Sequence, residues 1–367
     1  MIVSLCTIAY NEESVLNGLL RDFKDQNYPH NKIEVIMVDT GSTDRTVEIM
    51  EEFRDAGYGF YDVRIYHLTG SKHNQAAAWN VAIEHATGDI IIRVDAHSKI
   101  PRQFVSRNVF NIKEGEDIVG GGRPNICANP NPWTKTLLAA EESLFGSSVA
   151  DYRRPAAQKE YHDSLFHAAY RRGVFATVGG FNEDLGRTED NELHYRIRKA
   201  GYRLCCCPEI ISFQHTRSTL RRMIRQKYGN GYWVGLTLGV CPGCLSYFHF
   251  IPFVFLVALV STLLVWALAG QPVYFAVLMA MYMMFNVVNT VGSFVLKKSL
   301  NPLFLILPLL FPLLHLSYGV GTLVGFIKLP FWKKSLDGSA QERIEQVKEA
   351  VRLNTIEFER DDDDEVL

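Results

Sequence analysis

Short apolar runs and amphipathic stretches alternate through the first half of the chain. Residues 2–8 read as a buried strand running into Tyr10, Asn11 and Glu12, and residues 13–25 then carry Val15, Leu16, Leu19, Leu20 and Phe23 at helical spacing. A second strand is predicted over 33–38. It is broken by Asp39, Thr40, Gly41, Ser42 and Thr43, after which Asp44 stands as the cap of a helix with Val47, Ile49, Met50 and Phe53 on one face. A weaker strand over 63–68, a helix over 74–85 and a strand over 90–95, built on Ile90, Ile91, Ile92 and Val94, complete the pattern. Repeated strand, loop and helix predict an α/β fold around a parallel, doubly wound sheet.

The pattern changes near residue 246. Residues 247–269, 273–296 and 303–327 are apolar runs without Asp, Glu, Lys or Arg, and each exceeds the roughly 18 residues that a membrane span requires. The expected organisation is a catalytic domain over 1–215, an amphipathic interface segment over 216–245, a transmembrane region over 246–330 and a charged tail over 331–367. The interface segment rests on Arg217, Arg221, Arg222, Arg225 and Lys227 followed by Tyr228, Tyr232 and Trp233. Topology is in conflict. Lys297 and Lys298 favour a cytoplasmic link after the second run, yet three full spans would then place Lys328, Lys333, Lys334 and the tail outside. Pro302, Pro308 and Pro312 break the third run, so a re-entrant hairpin is the other reading.

Charge and cysteine content narrow the classes. A formal net charge of -2, with an acidic run over 361–365, and the lack of any RNP, zinc-finger or basic-helix pattern exclude nucleic acid as a partner. Seven cysteines without framework spacing suit a reducing compartment, and the lone C-P-G-C over 241–244 reads as apolar filler near the membrane. No basic segment precedes the first apolar run, so no signal peptide is expected.

In parallel sheets ligands bind at the carboxyl ends of strands, where residues 10–12, 39–42 and 95–97 all fall. If the strand continues through Ala96, Asp95 and His97 point the same way, and a carboxylate with an imidazole there suits a divalent cation held against phosphate; a surface pair is the plainer reading. Asp39 suits a ribose or base edge and Gly41 a close backbone approach. Neither G-x-G-x-x-G nor a Walker loop follows any strand, which weakens dinucleotide and ATP readings. Gly120, Gly121 and Gly122 leave room for a sugar or form a plain loop. Glu189 and Asp190 open a helix, where the helix dipole also favours acids. His315, with Tyr318, Gly319 and Gly321 after it, is either a polar helix-packing contact or a lipid-phosphate contact.

Y-N-E after the first strand, V-D-T-G-S-T-D after the second and V-D-A-H after the fourth resemble glycosyltransferase family 2, over roughly residues 1–235. The resemblance implies a GT-A fold with a Rossmann-like, doubly wound mixed sheet and a nucleotide-sugar site at Ala9, Tyr10, Asn11, Glu12, Asp39 and Asp95, beside Gly41. It implies an inverting hexosyltransferase with a UDP-sugar donor, Asp190 as catalytic base and Glu189 as its neighbour. The family's D-x-D stands here as D-A-H, so the metal pair is Asp95 and His97, with Mn²⁺ preferred over Mg²⁺ because imidazole ligates magnesium poorly. Arg171, Arg172, His215, Gln226 and Trp233 fall on the acceptor or lipid side, although the last three also suit a purely interfacial helix. Gln226 and Trp233 do not keep the Q-x-x-R-W spacing of processive members. The arrangement is similar to the succinoglycan and exopolysaccharide branch, which implies a lipid-linked (undecaprenyl-diphosphate) saccharide acceptor. It further implies an integral protein of a bacterial inner or cell membrane, with its catalytic domain in the cytoplasm. A polyprenyl-phosphate sugar transferase, a processive polysaccharide synthase and an inactive scaffold or nucleotide-sugar sensor are the alternatives.

Overall fold

The alternating half folds as the pattern predicts, except that two strands run against the rest. A computed structural model describes residues 1–68, 74–127, 129–146, 156–297 and 301–364; Lys298, and Glu365 of the acidic run, lie outside these. The elements begin with β1 (Val3–Ala9), α1 (Leu16–Lys24), β2 (Ile33–Asp39), α2 (Thr46–Ala56), β3 (Asp62–His67) and α3 (Gln75–Glu84). Next come β4 (Ile90–Arg93), β5 (Ser98–Lys99), α4 (Phe104–Lys113), β6 (Ile118–Gly122), β7 (Asn125–Ile126) and α5 (Pro132–Glu142). They continue with β8 (Glu160–His162), β9 (Ala169–Arg171), α6 (Arg172–Val178), α7 (Glu189–Lys199), β10 (Leu204–Ile211) and β11 (Phe213–His215). Five long helices follow: α8 (Leu220–Thr237), α9 (Ile251–Ala269), α10 (Val273–Lys297), α11 (Leu307–Lys334) and α12 (Ser339–Asp364). The chain divides into two compact units, one made of Met1–Pro124, Arg154–Gln214 and Leu336–Leu367, the other of Asn125–Arg153 and His215–Ser335.

The first unit holds an eight-stranded sheet in the order β3-β2-β1-β4-β9-β6-β10-β8. β1 runs parallel to β2 and β4, with Val3 opposite both Ile33 and Ile90. β9 lies antiparallel between β4 and β6, which makes the sheet mixed. Both faces are covered, so successive residues of one strand enter different cores: Leu5 packs with Leu19, Phe23 and Met50, whereas Cys6 packs with Trp79, Phe175 and Leu193.

The amino ends of three strands are fastened by one buried acid. Glu34 of β2 accepts the amides of Thr87 at 2.6 Å and Gly88 at 2.9 Å, and also pairs with Arg64. Gly88 has to be glycine, because a Cβ there would sit 2.6 Å from the Ser4 nitrogen. Gly121 is needed for a similar reason. Its Cβ would collide with the Ile210 carbonyl of the neighbouring β10, and residues 118–122 are buried throughout, so the three glycines permit strand packing and leave no room for a sugar.

The charged tail expected after residue 330 is instead helical over Ser339–Asp364, and α12 belongs to the catalytic unit. Val347 and Val351 are fully buried beside Trp79 and Phe175, Gly180 donates its amide to the Ile344 carbonyl, and Arg343 pairs with Glu84. Acidic composition hid a helix whose buried apolar residues, Ala340, Ile344, Val347 and Val351, recur at spacings of four, three and four.

In the second unit α8 and α11 run side by side in the same direction. Tyr228 faces Gly321, Tyr232 faces Gly325, and a Cβ on Gly235 would lie 2.8 Å from the Thr322 carbonyl. Small residues let two backbones approach in this way. Arg221, Arg222 and Arg225 of α8 remain exposed. Lys227 turns inward to Glu141 of α5 at 3.2 Å, both side chains being under a tenth exposed. Tyr247–Ala269, Val273–Val295 and Pro302–Lys334 are long and apolar enough to cross a membrane.

Candidate active site

Three loops meet at the carboxyl edge of the sheet. After β1, Asn11 adopts a left-handed conformation with φ 54°, donates its amide to the Ser42 hydroxyl at 2.9 Å, and accepts the Thr43 amide on its side-chain oxygen at 2.8 Å. Glu12 donates its amide to the Thr46 hydroxyl at 2.8 Å. Ala9 accepts the Thr40 amide. The β1 and β2 loops are therefore cross-tied before any ligand arrives. Tyr10 is left more than half exposed at the rim.

Asp39 has only 3% exposure and accepts the amides of Gly41 at 3.0 Å and Ser42 at 3.1 Å. Gly41, at φ 93°, turns the chain so that these amides point back. Asp44 binds the amides of Thr46 and Glu13 and the Thr46 hydroxyl; burial is the largest single effect on its carboxyl and raises it, but these bonds together hold it below the usual range. Instead of standing at the N-cap, which is Arg45, Asp44 ties the turn before α1 to the first residue of α2.

Asp95 and His97 come together by a different route from the one expected. β4 ends at Arg93, and the Ser98 amide donates to the Asp95 carbonyl at 3.1 Å, so the segment is a turn and strand alternation does not apply. His97 lies 3.5 Å from Glu12 through Nδ1, while its Nε2 takes a hydrogen bond from the Gln214 amide at 2.8 Å. Both ring nitrogens are thus engaged within the protein. Asp95 is the better metal donor: the imidazole nearest it, His167 at 3.9 Å, is held neutral by burial, and burial raises the Asp95 carboxyl despite His97 and Arg93, so a cation there would be welcome. Among the described residues no group of three His, Cys, Asp or Glu side chains is placed to enclose a metal. A divalent ion fits here only with most of its ligands drawn from the nucleotide phosphates and water.

Glu189 and Asp190 open α7 beside this edge. Burial, reinforced by the Asp190 charge, pushes the Glu189 carboxyl up to about 8. Asp190 Oδ1 accepts from Arg93 Nη1 at 2.7 Å, with its side chain 23% exposed. The guanidinium lies against the rings of Trp79 at 4.3 Å and Phe181 at 4.5 Å. The Tyr170 hydroxyl donates or accepts at His194 Nε2 across 2.8 Å. Arg93, Trp79, Phe181 and His167 were not singled out from sequence. A guanidinium inside the run I-I-I-R-V was the available signal, since a buried cation demands a partner.

Other expected site residues lie elsewhere. Arg171 pairs with Asp117 at 3.4 Å and binds the Glu116 carbonyl, and Arg172 binds the Gly88 carbonyl at 2.9 Å. Because β9 runs opposite to β4, with Arg171 facing Ile90, both arginines sit at the amino end of β4, away from Asp95. Their acceptor-side assignment is corrected to a structural one. His215, Gln226, Trp233 and His315 belong to the second unit. There Trp233 meets Trp332 edge-on, and His315 bonds the Tyr282 hydroxyl at 2.9 Å and the Phe145 carbonyl, which makes it a polar contact between helices.

A mixed α/β sheet with acidic strand ends and a carboxylate pair on α7 defines a GT-A-type sugar transferase. The chain belongs to glycosyltransferase family 2, described as Glycosyl transferase family 2, whose profile matches residues 4–179. Over 332 residues it is 26% identical to the dolichyl N-acetyl-alpha-D-glucosaminyl phosphate 3-beta-D-2,3-diacetamido-2,3-dideoxy-beta-D-glucuronosyltransferase of Methanococcus voltae, covering 89% of this chain and 97% of that protein. It is 29% identical to the succinoglycan biosynthesis protein ExoA of Rhizobium meliloti, over 60% of this chain and 65% of the relative. The mannosyltransferase PcManGT of Pyrobaculum calidifontis, solved with GDP-Man and Mn2+, shares the fold with a TM-score of 0.58 and 19% identity, covering 88% of this chain and 86% of that one.

Proposed function

We propose that the protein is an inverting hexosyltransferase that moves a sugar from UDP to a saccharide carried on a polyprenyl phosphate or diphosphate, at a membrane surface. The observation that carries this reading is the Arg93–Asp190 pair at 2.7 Å. Arg93 precedes Asp95 by two residues, so the pair brings the candidate base to the strand end that would receive the diphosphate. The nearly full-length likeness to an enzyme named for a dolichyl-phosphate-linked sugar supports the acceptor class.

The β1 and β2 loops, with Asp39 and Gly41, would seat the nucleotide. Asp190 would take the proton of the acceptor hydroxyl as that oxygen bonds to the anomeric carbon and the bond to the diphosphate breaks, inverting configuration. Asp95, with His97 after Gln214 turns away, would hold a divalent ion, Mn²⁺ in preference to Mg²⁺, which offsets charge on the departing diphosphate.

Chain connectivity supports an orientation. Met1–Pro124 and Leu336–Leu367 fold into one unit, which favours an even number of crossings between them. We assign α9 and α10 as the two crossings. α11 is held along α8, whose exposed arginines belong at a headgroup surface, and so lies at the interface. The catalytic unit and α12 would then face the cytoplasm, where nucleotide sugars are made.

The decisive test is release of nucleotide by purified protein from UDP- and GDP-sugars, with a short polyprenyl-diphosphate saccharide, a polyprenyl-phosphate saccharide or bare polyprenyl phosphate as acceptor. Transfer from a UDP-sugar to a lipid-linked saccharide that stops in EDTA, returns with Mn²⁺ and is lost in Asp190→Asn is the expected result. Use of bare polyprenyl phosphate alone would overturn the acceptor; turnover in EDTA would overturn the metal.

A further inference from the structure

Arg93 is under a tenth exposed. It stands at the end of β4, lies against the rings of Trp79 of α3 and of Phe181, and donates to Asp190 of α7, so that with its own strand it joins four segments of the chain. Its Nε has no hydrogen-bond partner among the described residues. A cation so enclosed is expensive to desolvate, and two aromatic rings within 4.5 Å of the guanidinium carbon restrict where the fork can lie. Arg171 and Arg172, at the other end of the strand, bind backbone carbonyls, Arg171 in addition to its pair with Asp117. Arg93 spends its charge on one oxygen of one carboxylate.

We infer that Arg93 is a positioning residue for transfer: held against Trp79 and Phe181, it occupies Asp190 Oδ1 and so aims Oδ2 at the acceptor hydroxyl. This rests on the reading of Asp190 as the base. During the step the hydroxyl proton passes to Oδ2, the acceptor oxygen bonds to the anomeric carbon, and the electrons of the broken bond leave with the diphosphate. Arg93 exchanges no proton. It holds the carboxylate's rotation, and because it shares a strand end with Asp95, the base keeps its register with the donor site.

The test is a double-mutant cycle on the full-length protein in detergent, with UDP-sugar and lipid-linked saccharide. Arg93→Gln lowers kcat by about 100-fold, a loss typical for a misplaced general base, while donor KM stays within about threefold. Arg93→Lys, which keeps the charge but not the plane, recovers roughly a tenth of wild-type kcat. In the Asp190→Asn background, Arg93→Gln costs less than about twofold more, since a residue acting through Asp190 then has nothing to aim. Additive losses, or a donor KM that rises in step with the loss of kcat, would overturn the inference. Where Arg93→Gln does not bind nucleotide and so has not folded, Arg93→Lys completes the same cycle. Wild-type kcat in the single variant Asp190→Asn would instead remove Asp190 as base, an outcome read independently of Arg93.

Discussion

The side chain of Asn80 pairs with the backbone of Phe181 as a neighbouring strand would: its Nδ2 donates to the Phe181 carbonyl at 3.0 Å and its Oδ1 accepts the Phe181 amide at 2.6 Å. Asn80 is completely buried in α3, one residue after Trp79. Both rings that enclose Arg93 are thereby set by one segment of helix and the loop it grips. Asn80→Ala leaves two buried backbone groups without partners, a cost of roughly 2–4 kcal/mol. Thermal unfolding should show that loss. The kcat of the surviving protein should fall more than its donor KM rises, because the Phe181 wall moves.

α12 supports the same loop from behind, with Gly180 bonded to the Ile344 carbonyl and Arg343 3.4 Å from Glu183. Val347→Asp places a charge in the core between α12 and α6, costing several kcal/mol. Protease nicking between α11 and α12 with loss of transfer is the expected result; intact activity after removal of residues 336–367 would show the helix to be dispensable.

His194 should set the acid flank of stability. Burial holds it down at about 4, between the Ser164 hydroxyl at 2.9 Å and Tyr170 at 2.8 Å. The unfolded chain binds a proton near 6.5, so the folded form binds fewer protons between 6.5 and 4. Stability is therefore fully present above about 6.5 and is lost as pH falls toward 4, by about 3 kcal/mol in all. Melting temperatures against pH read the slope, and His194→Gln should flatten it.

The α8–α11 contact allows no added methyl groups. Gly325→Val drives a side chain into the Tyr232 carbonyl and should cost roughly 1–3 kcal/mol, visible as a lower melting temperature in detergent. Gly292→Ala on α10, with nothing within 4 Å of its Cβ, should be neutral or slightly stabilising.

Topology has a direct readout. A fluorescent reporter fused after residue 367 should be bright in the cytoplasm, and a cysteine placed at Gln271, between α9 and α10, should react with impermeant reagent added from outside. A dark reporter would restore three crossings.

Period-2 and period-3.6 patterning determined the strands, most helices and the apolar runs, because each depends on which neighbours along the chain share a face. Local chemistry likewise drew Asp39 and Asp95 to notice, since strand ends are readable one element at a time, whereas Glu189 and Asp190 stood out from ordinary helix-start acids only through the family resemblance. What only tertiary structure decided was partnership. The reversal of β9 moved Arg171 and Arg172 to the far end of β4, Gln214 took the His97 nitrogen, and α12 left the tail for the core beside Trp79. Arg93 stood visible in an apolar strand, but its meaning lay in Asp190, 97 residues away. Periodicity carries no information across such a separation, and only packing of the intervening sheet joins the two charges.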